Sequence, residues 1–247
     1  MKLRENVYLV GGGYMGMGIS YVGDCHIYLL HDGNAGALID AGYGFEPEQI
    51  VQNIRADGID PDSVESLILT HCHGDHSGGA AWLMENLGLR AIVPGGTRAW
   101  LEEGDEDAIN LTRARAAGRY PPDYRFQTFP VEREVGAGDR IAVGNLELEV
   151  FETPGHANPH NAYLLRDGSE TFLFSGDLVF ANGDVVLNFA PETSPWQLGN
   201  SLGQFRDFGL TGLFPGHHGI SLKYGQQHID AALAKFDTLT VPRNMMS

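Results

Sequence analysis

Residues 70–79 read THCHGDHSGG and place three histidines and an aspartate within six positions. The apolar residues just before them predict a buried strand that ends at this stretch. Because alternate residues of an extended chain point the same way, His71 and His73 can reach one metal ion from one side. Asp75 and His76 follow a turn at a glycine and can face a second metal ion. Imidazole and carboxylate ligands together suit zinc, iron or manganese.

The composition favours one globular domain. The chain has 247 residues, of which 43% are hydrophobic, and its two cysteines are too few for a disulfide framework. We predict a single domain over residues 1–247, with an insertion around residues 95–130 that walls the substrate pocket, since the alternation of strands and helices breaks there. No apolar run is long enough to span a bilayer and no apolar signal core follows the N-terminal residues, so we expect a cytoplasmic protein.

The chain is strongly acidic. Its 32 aspartates and glutamates against 16 lysines and arginines give a net charge of −16. Such a surface repels nucleic acid and anionic membranes, so we expect neither as a partner. The expected partner is a small-molecule substrate, and a homodimer is an open alternative to a monomer. Arg113, Arg115 and Arg119 form a local basic group, for which an exposed helix face is the favoured interpretation and an anion-binding role is the alternative.

A glycine-rich segment, residues 11–18, follows the first predicted strand. Its first six residues match the spacing G-x-G-x-x-G of dinucleotide-binding loops. That motif requires a helix to follow, whereas the next residues are strand-like, so we reject this interpretation. We predict a glycine-rich hairpin or flap instead. We predict that Tyr14, Met15 and Met17 at its tip contact substrate. A packing role for these residues is an equal alternative.

Apolar periodicity and turn residues predict a mixture of strands and helices. Strands are predicted over residues 7–10, 25–30, 37–40, 64–69, 90–93, 131–135, 140–151, 161–165, 171–174 and 210–214. Helices are predicted over residues 46–57, 80–87, 97–118 (as one or two helices), 194–208 and 226–238. We expect the strands at 131–135 and 140–151 to pair with each other as antiparallel neighbours.

Metal-ligand residue types follow predicted strands at four places. Beyond the 70–79 stretch they are His156 in TPGH, Asp177 in SGD and His217 in PGH. Loops at strand ends are where open sheets usually build sites. We predict that one metal is held by His71, His73 and His156, and the other by Asp75, His76 and His217. We predict that Asp177 bridges the two.

Two divalent ions at such a site, most readily Zn²⁺ with iron or manganese as alternatives, would share a hydroxide that attacks a carbonyl carbon. Asp75 is the predicted catalytic residue, which orients the hydroxide or transfers a proton. His217 is preferred over its neighbour His218 because it directly follows Pro-Gly. His160 is interpreted as a support for the site, not as a ligand.

These motifs together, in chain order, resemble the metallo-β-lactamase superfamily of metal-dependent hydrolases. The residues LIDAG at 38–42 fit the same pattern. The resemblance implies an α/β (α+β) protein, a four-layer αββα sandwich with the metals in a cleft at one edge of the sheets. Within the superfamily the ligand set resembles the glyoxalase II and lactonase branches. Glyoxalase II carries a C-terminal helical domain with glutathione-binding basic residues, which we do not recognise in this chain.

The motif GDLVF at 176–180 resembles glyoxalase II-like thioesterases. Lactonases of the superfamily tend to carry a tyrosine at the position where this chain has Phe180. We predict Phe180 as a further substrate-contact residue. We therefore predict a dinuclear metal hydrolase that opens a small ester, thioester or lactone. The alternatives are a mononuclear iron redox enzyme resembling persulfide dioxygenases, a phosphodiesterase or nuclease, and a metal module without catalytic activity.

Overall fold

Two β-sheets organise the computed structural model, which describes residues 1–188 and 190–245. The larger sheet has seven strands in chain order, antiparallel from β1 to β4 and parallel from β4 to β7. These strands are β1 (Lys2–Arg4), β2 (Val7–Gly11), β3 (Ile27–His31), β4 (Gly36–Ile39), β5 (Val64–Ile68), β6 (Arg90–Pro94) and β7 (Arg133–Val135).

The smaller sheet has five strands in the order β12-β11-β10-β9-β8. β12 runs parallel to β11, and the other neighbours are antiparallel. The strands are β8 (Arg140–Val143), β9 (Leu146–Glu152), β10 (Asn161–Asp167), β11 (Glu170–Gly176) and β12 (Gly212–Pro215).

The described residues contain seven α-helices, six between strands and one after the last strand. They are α1 (Glu48–Ala56), α2 (Gly74–Ser77), α3 (Ala80–Leu87), α4 (Arg98–Glu103), α5 (Leu111–Ala116), α6 (Pro195–Gly203) and α7 (Gln226–Phe236). Ser194 caps α6 by accepting a hydrogen bond from the Gln197 N–H, with Pro195 at the first helical position. Gly88 ends α3 in a left-handed conformation, at a φ of 67°.

Three separate apolar cores define the layers. Strand alternation sends Leu67 of β5 into a core shared with α1 and α3, and Ile68 into a core between the two sheets. The third core lies between the smaller sheet and helices α6 and α7. Each fully buried leucine or phenylalanine contributes about 1.5–3 kcal/mol of transfer free energy to these cores. The layers are therefore helix, sheet, sheet and helix, which confirms the predicted αββα sandwich.

The structure differs from the sequence prediction in three respects. A short first strand, β1, was not predicted. The segments at 131–135 and 140–151 do not pair with each other, because β7 belongs to the larger sheet while β8 and β9 form a hairpin in the smaller one. Helix α6 ends at Gly203 instead of continuing to residue 208. The two short helices within residues 97–118 agree with the prediction of one or two helices there. Within the described residues, no helix combines the length and apolar character needed to cross a membrane.

Candidate metal centre

The larger sheet delivers one group of side chains directly after β5. The chain leaves the strand, passes His71 and His73, and turns into α2. The backbone N–H groups of His76 and Ser77 both donate to the His73 carbonyl, each at 2.9 Å. This tight turn reverses the side-chain direction, so Asp75 and His76 lie on a different side of the site from His73.

The smaller sheet delivers three more side chains from the ends of β9, β11 and β12. They are His156, Asp177 and His217. The two parallel strands are tied together where they end, because the Gly216 N–H donates to the Gly176 carbonyl at 2.8 Å. Both sheets therefore contribute to one site, which matches the convergence expected from the strand-end pattern.

The structure brings together all seven of the predicted metal-site residues. The ligand atoms of His71, His73 and His156 lie within 4.8 Å of one another, and His156 Nε2 is 3.1 Å from His73 Nδ1. A second group contains Asp75, His76 and His217. In it, His217 Nε2 lies 3.2 Å from Asp75 Oδ2.

Asp177 lies between the two groups. Its Oδ2 atom is 3.4 Å from His156 Nε2 in the first group and 3.8 Å from His217 Nε2 in the second. Its Oδ1 atom is 3.5 Å from His76 Nε2. A carboxylate in this position has an oxygen available to each of two ions.

Several donor atoms of the site have no hydrogen-bond partner among the described residues. They are His71 Nε2, His76 Nε2, Asp177 Oδ1 and His217 Nδ1, all fully buried. A buried polar atom without a partner costs about 1–3 kcal/mol, so a cluster of them needs another stabilising contact. Imidazole nitrogens and carboxylate oxygens facing a common point are the ligands that zinc and similar divalent ions prefer, and the donor set fits a pair of such ions.

Asp40 organises the hydrogen bonds beneath these ligands. Its carboxylate accepts from the Thr70 N–H at 2.8 Å, from the Thr70 hydroxyl at 2.9 Å and from His76 Nδ1 at 2.8 Å. The hydroxyl of Thr70 in turn lies 3.0 Å from His71 Nδ1. The Nδ1 atoms of both histidines are thereby engaged, and their Nε2 atoms are left for a metal. The sequence prediction placed Asp40 only in a family motif and gave it no role.

His160 supports the site from behind, as interpreted from its position after His156. Its Nε2 accepts from the Asp177 N–H at 3.2 Å, and its Nδ1 is 2.7 Å from the Thr153 hydroxyl. These two bonds fix the backbone that carries Asp177. His218, the alternative to His217, is exposed and does not join the cluster.

The surroundings set the protonation of four of the ligands in the form that binds metal. His76 is the exception, because burial would lower its pKa but Cys25, Asp40 and Asp177 outweigh burial and raise it well above the usual value. Burial lowers the pKa of His71 well below its usual value and that of His156 to about 4, so both are neutral near pH 7. Burial alone would raise the pKa values of Asp75 and Asp177, but the nearby histidines, His217 foremost, hold both well below the usual range. Neutral imidazoles and ionised carboxylates need lose no proton to bind a cation.

A cavity of about 280 Å³ opens in front of the metal centre. The site residues in its lining are His73, Asp75, His156, Asp177 and His217. Much of the remaining lining comes from the 95–130 segment, namely Ile109, Asn110, Arg113, Ala114, Ala117, Arg119 and Tyr120. Tyr120 is stacked on Tyr43, with ring centroids 4.0 Å apart. The sequence offered no pattern that would single out these two tyrosines.

The predicted substrate contacts divide into one that lines this cavity and three that do not. Met15 is part of the lining, whereas Tyr14 and Met17 project into solvent with exposed fractions of 74% and 44%. Phe180 is fully buried and packs beside His217, with ring centroids 6.4 Å apart. Phe180 therefore supports His217 from behind and does not contact the cavity.

Hydrogen bonds connect the glycine-rich segment to the loop that carries His217. His26 donates from Nδ1 to the Pro215 carbonyl at 2.9 Å and accepts at Nε2 from the Met17 N–H at 3.1 Å. The Met15 carbonyl accepts from the His218 N–H at 2.5 Å. These bonds bring the tip of the segment to the edge of the site.

Comparison with known proteins identifies the family. A family model described as the metallo-beta-lactamase superfamily matches residues 20–239. The chain belongs to the metallo-β-lactamase superfamily. The resemblance that the metal-ligand motifs predicted is therefore confirmed, and the matched region contains every residue of the candidate metal centre.

Relatives within the superfamily include hydroxyacylglutathione hydrolases, also called glyoxalase II. One from Rhodopseudomonas palustris (strain BisA53) is 31% identical over 158 residues, which cover 63% of this chain and 48% of that protein. Another from Gloeothece citriformis (strain PCC 7424) is 32% identical over 188 residues, which cover 74% of this chain and 60% of that protein. The chain spans about half the length of the curated relatives it matches.

Solved structures of metallo-β-lactamases share the fold. BJP-1, a subclass B3 enzyme of Bradyrhizobium japonicum, aligns with a TM-score of 0.71 and 20% identity over 97% of this chain and 91% of that chain. FEZ-1 from Legionella gormanii aligns with a TM-score of 0.73 and 15% identity over 97% of this chain and 94% of that chain. At these identities the likeness is one of fold.

Proposed function

We propose that this chain is a hydrolase that uses two divalent metal ions, most readily Zn²⁺, to cleave a small ester, thioester or lactone. The observation that carries the proposal is the position of Asp177, whose carboxylate lies within 3.8 Å of histidines from both ligand groups. One ion would be held by His71, His73 and His156, and the other by Asp75, His76 and His217. The similarity to hydroxyacylglutathione hydrolases supports an acyl substrate.

The ions, when bound, supply Lewis acidity that polarises a substrate carbonyl and lowers the pKa of water towards neutrality. Asp75 is suited to orient an attacking water by accepting its hydrogen bond. Its side chain is 33% exposed towards the cavity, its pKa is held below the usual range, and it pairs with His217.

A serine nucleophile is disfavoured by the structure. Residues 199–203 match the spacing G-x-S-x-G, but they lie inside α6 and not at a strand-to-helix turn. Ser201 is buried, and its hydroxyl donates to the Pro154 carbonyl at 2.7 Å. Activation of water is therefore the chemistry that this site supports.

The size of the cavity favours a small substrate. Its volume of about 280 Å³ lies at the lower edge of the range of roughly 300–1,000 Å³ that is typical of ligand pockets. A short acyl group fits inside, whereas a large leaving group would extend into solvent.

Metal content and turnover test this proposal together. Purified protein should contain two divalent ions per chain by ICP-MS and should hydrolyse members of an ester, thioester and lactone panel. His73→Ala and Asp177→Ala should each lower metal content and reduce turnover by at least about a thousandfold, because each removes a ligand. The matched control His218→Asn replaces an exposed histidine beside His217 with a residue that tolerates its positive φ of 64°, and it should leave both unchanged.

Full activity in either alanine variant would refute the site. One iron per chain with no hydrolysis of the panel would instead favour the mononuclear redox alternative. Turnover of bis-p-nitrophenyl phosphate without turnover of acyl substrates would favour the phosphodiesterase.

A further inference from the structure

Two arginines line the cavity of the metal centre without an ion pair. Arg113 lies in α5, and Arg119 follows three residues beyond the end of that helix. Both side chains are exposed, and neither lies within 4.0 Å of a carboxylate in residues 1–188 and 190–245. Arg115, between them, is different, since it pairs with Glu106 at 2.6 Å and donates to the Tyr124 carbonyl at 2.8 Å. Arg115 therefore stabilises the fold, whereas Arg113 and Arg119 remain available at the cavity.

Basic residues without an ion pair are the minority in this acidic chain. Ten of the 16 lysines and arginines form ion pairs within the described residues. The acidic residues that line the cavity, Asp75 and Asp177, belong to the metal centre and do not neutralise the two arginines. Positive charge on the wall of a cavity in a protein of net charge −16 concentrates anions at that point.

The backbone that carries the second arginine is firmly held. The Arg119 N–H donates to the Ala114 carbonyl at 3.0 Å, and the hydroxyl of Tyr43 donates to the Arg119 carbonyl. Gly118 makes the intervening left-handed turn, at a φ of 75°. The helix dipole gives a structural reason for a cation in the last turn of α5, but Arg119 lies beyond that turn. The fixed backbone holds the base of the Arg119 side chain at the cavity, and its guanidinium is free to bind an anion.

We infer that Arg113 and Arg119 make the enzyme selective for acyl substrates that carry a carboxylate on the acyl group. A guanidinium forms charge-assisted, often bidentate, hydrogen bonds with a carboxylate. The carboxylate would lie against the arginines while the scissile carbonyl lies at the metal centre, and the two contacts would orient the acyl chain between them. This inference rests on the proposed hydrolase function.

Two chromogenic esters test the inference. 4-Nitrophenyl pentanoate and mono-4-nitrophenyl glutarate share a leaving group and an acyl chain of similar length, and they differ in a terminal carboxylate. For the metal-loaded parent we expect kcat/KM to be about tenfold higher for the glutarate after subtraction of the uncatalysed rate, since two exposed charge pairs contribute modestly. The double variant Arg113→Gln with Arg119→Gln should lose this preference, because kcat/KM for the glutarate falls about tenfold, mainly through a higher KM.

The control variant is Arg55→Gln, which removes an exposed arginine of α1 outside the cavity and should keep the preference. Raising the salt concentration from 50 to 500 mM should weaken the preference in the parent and not in the double variant. Equal kcat/KM values for the two esters in the parent, or a preference that survives the double substitution, would overturn the inference while the hydrolase function stands. Failure of the parent to cleave either ester would count against both.

Discussion

At the scale of single residues, Asp40 orients part of the metal centre although it is not one of the proposed ligands. It is 2% exposed and accepts hydrogen bonds from Thr70 and His76. Thr70 precedes the proposed ligand His71, and His76 is itself a proposed ligand. Its φ of 64° is a conformation that aspartate and asparagine adopt more readily than other non-glycine residues. Asp40→Asn therefore keeps the shape and the backbone conformation while it removes the charge.

We expect Asp40→Asn to weaken metal binding by about 10- to 100-fold, because the orientation and basicity of His76 depend on the carboxylate. Competition with a chromophoric chelator measures the affinity. Asp62→Asn, at an exposed carboxylate, is the control and should bind metal like the parent. An unchanged affinity in Asp40→Asn would show that the ligands are held by packing alone.

Gly216 is a residue at which one methyl group would enter the site. An added Cβ would lie 2.5 Å from Asp177 Oδ1 and 2.7 Å from His76 Cε1, both closer than atoms tolerate. We expect Gly216→Ala to lower kcat/KM by about a hundredfold, since small displacements of reacting groups are costly. Gly203→Ala is the matched control, because nothing lies within 4 Å of its added Cβ, and it should keep full activity. Parent-like activity in Gly216→Ala would mean that the ligands shift without loss.

The residues that sequence could predict differ in kind from those it could not. His71, His156 and His217 each follow an apolar run and a turn, so local pattern was enough to select them. Asp40 acts on His76, 36 positions away in the chain, and no local periodicity reports such a contact. Tyr120 lines the cavity only because an irregular segment folds back over the site.

At the scale of elements, the loop between β2 and β3 depends on a buried carboxyl group. Asp24 is 3% exposed, with its oxygens bonded to the Ser20 hydroxyl and the Tyr43 N–H. Burial raises the pKa of Asp24 to about 6 from an ordinary value of 3.8. The folded chain therefore holds this proton more tightly than the unfolded chain, and the stabilising effect is lost as pH rises through 6.

We expect the free energy of unfolding of the parent to fall relative to that of Asp24→Asn as pH rises from about 4 to 7, by roughly 2–3 kcal/mol. Urea titrations of both proteins at several pH values measure the difference in their free energies of unfolding. Both proteins contain the same metal ligands, so the effect of protonating those ligands is common to both and drops out of the difference. Asp62→Asn again serves as control and should show no such trend. A pH-independent difference between Asp24→Asn and the parent would contradict the role assigned to Asp24.

The elements that sequence predicted well are those with local start and stop residues. α6 begins at its predicted cap, Ser194, and α3 ends at Gly88. The relation of β7 to β8 was predicted wrongly, because the turn at residues 136–139 resembles a hairpin turn although the chain there passes from one sheet to the other. Which sheet a strand joins depends on contacts with distant strands, and these leave no local pattern.

At the scale of the whole molecule, the metal centre lies where the two sheets meet. The larger sheet supplies His71, His73, Asp75 and His76, and the smaller sheet supplies His156, Asp177 and His217. The central core between the sheets is apolar, and burial of its side chains is a source of stability that does not involve the ions. Ions bound at this edge would nevertheless link the two sheets and stabilise their association.

We therefore expect metal to raise the melting temperature without being required for folding. Ligand present at a hundred times its dissociation constant stabilises a protein by about 2.7 kcal/mol, which for a chain of this size corresponds to a shift of about 5–10 °C. Calorimetry of the protein with excess chelator, and after addition of Zn²⁺, measures the shift. Asp177→Ala should unfold cooperatively but show a much smaller response to Zn²⁺. An equal response in that variant would place the stabilising ions elsewhere, whereas an unfolded metal-free parent would mean that the two sheets need the ions to associate.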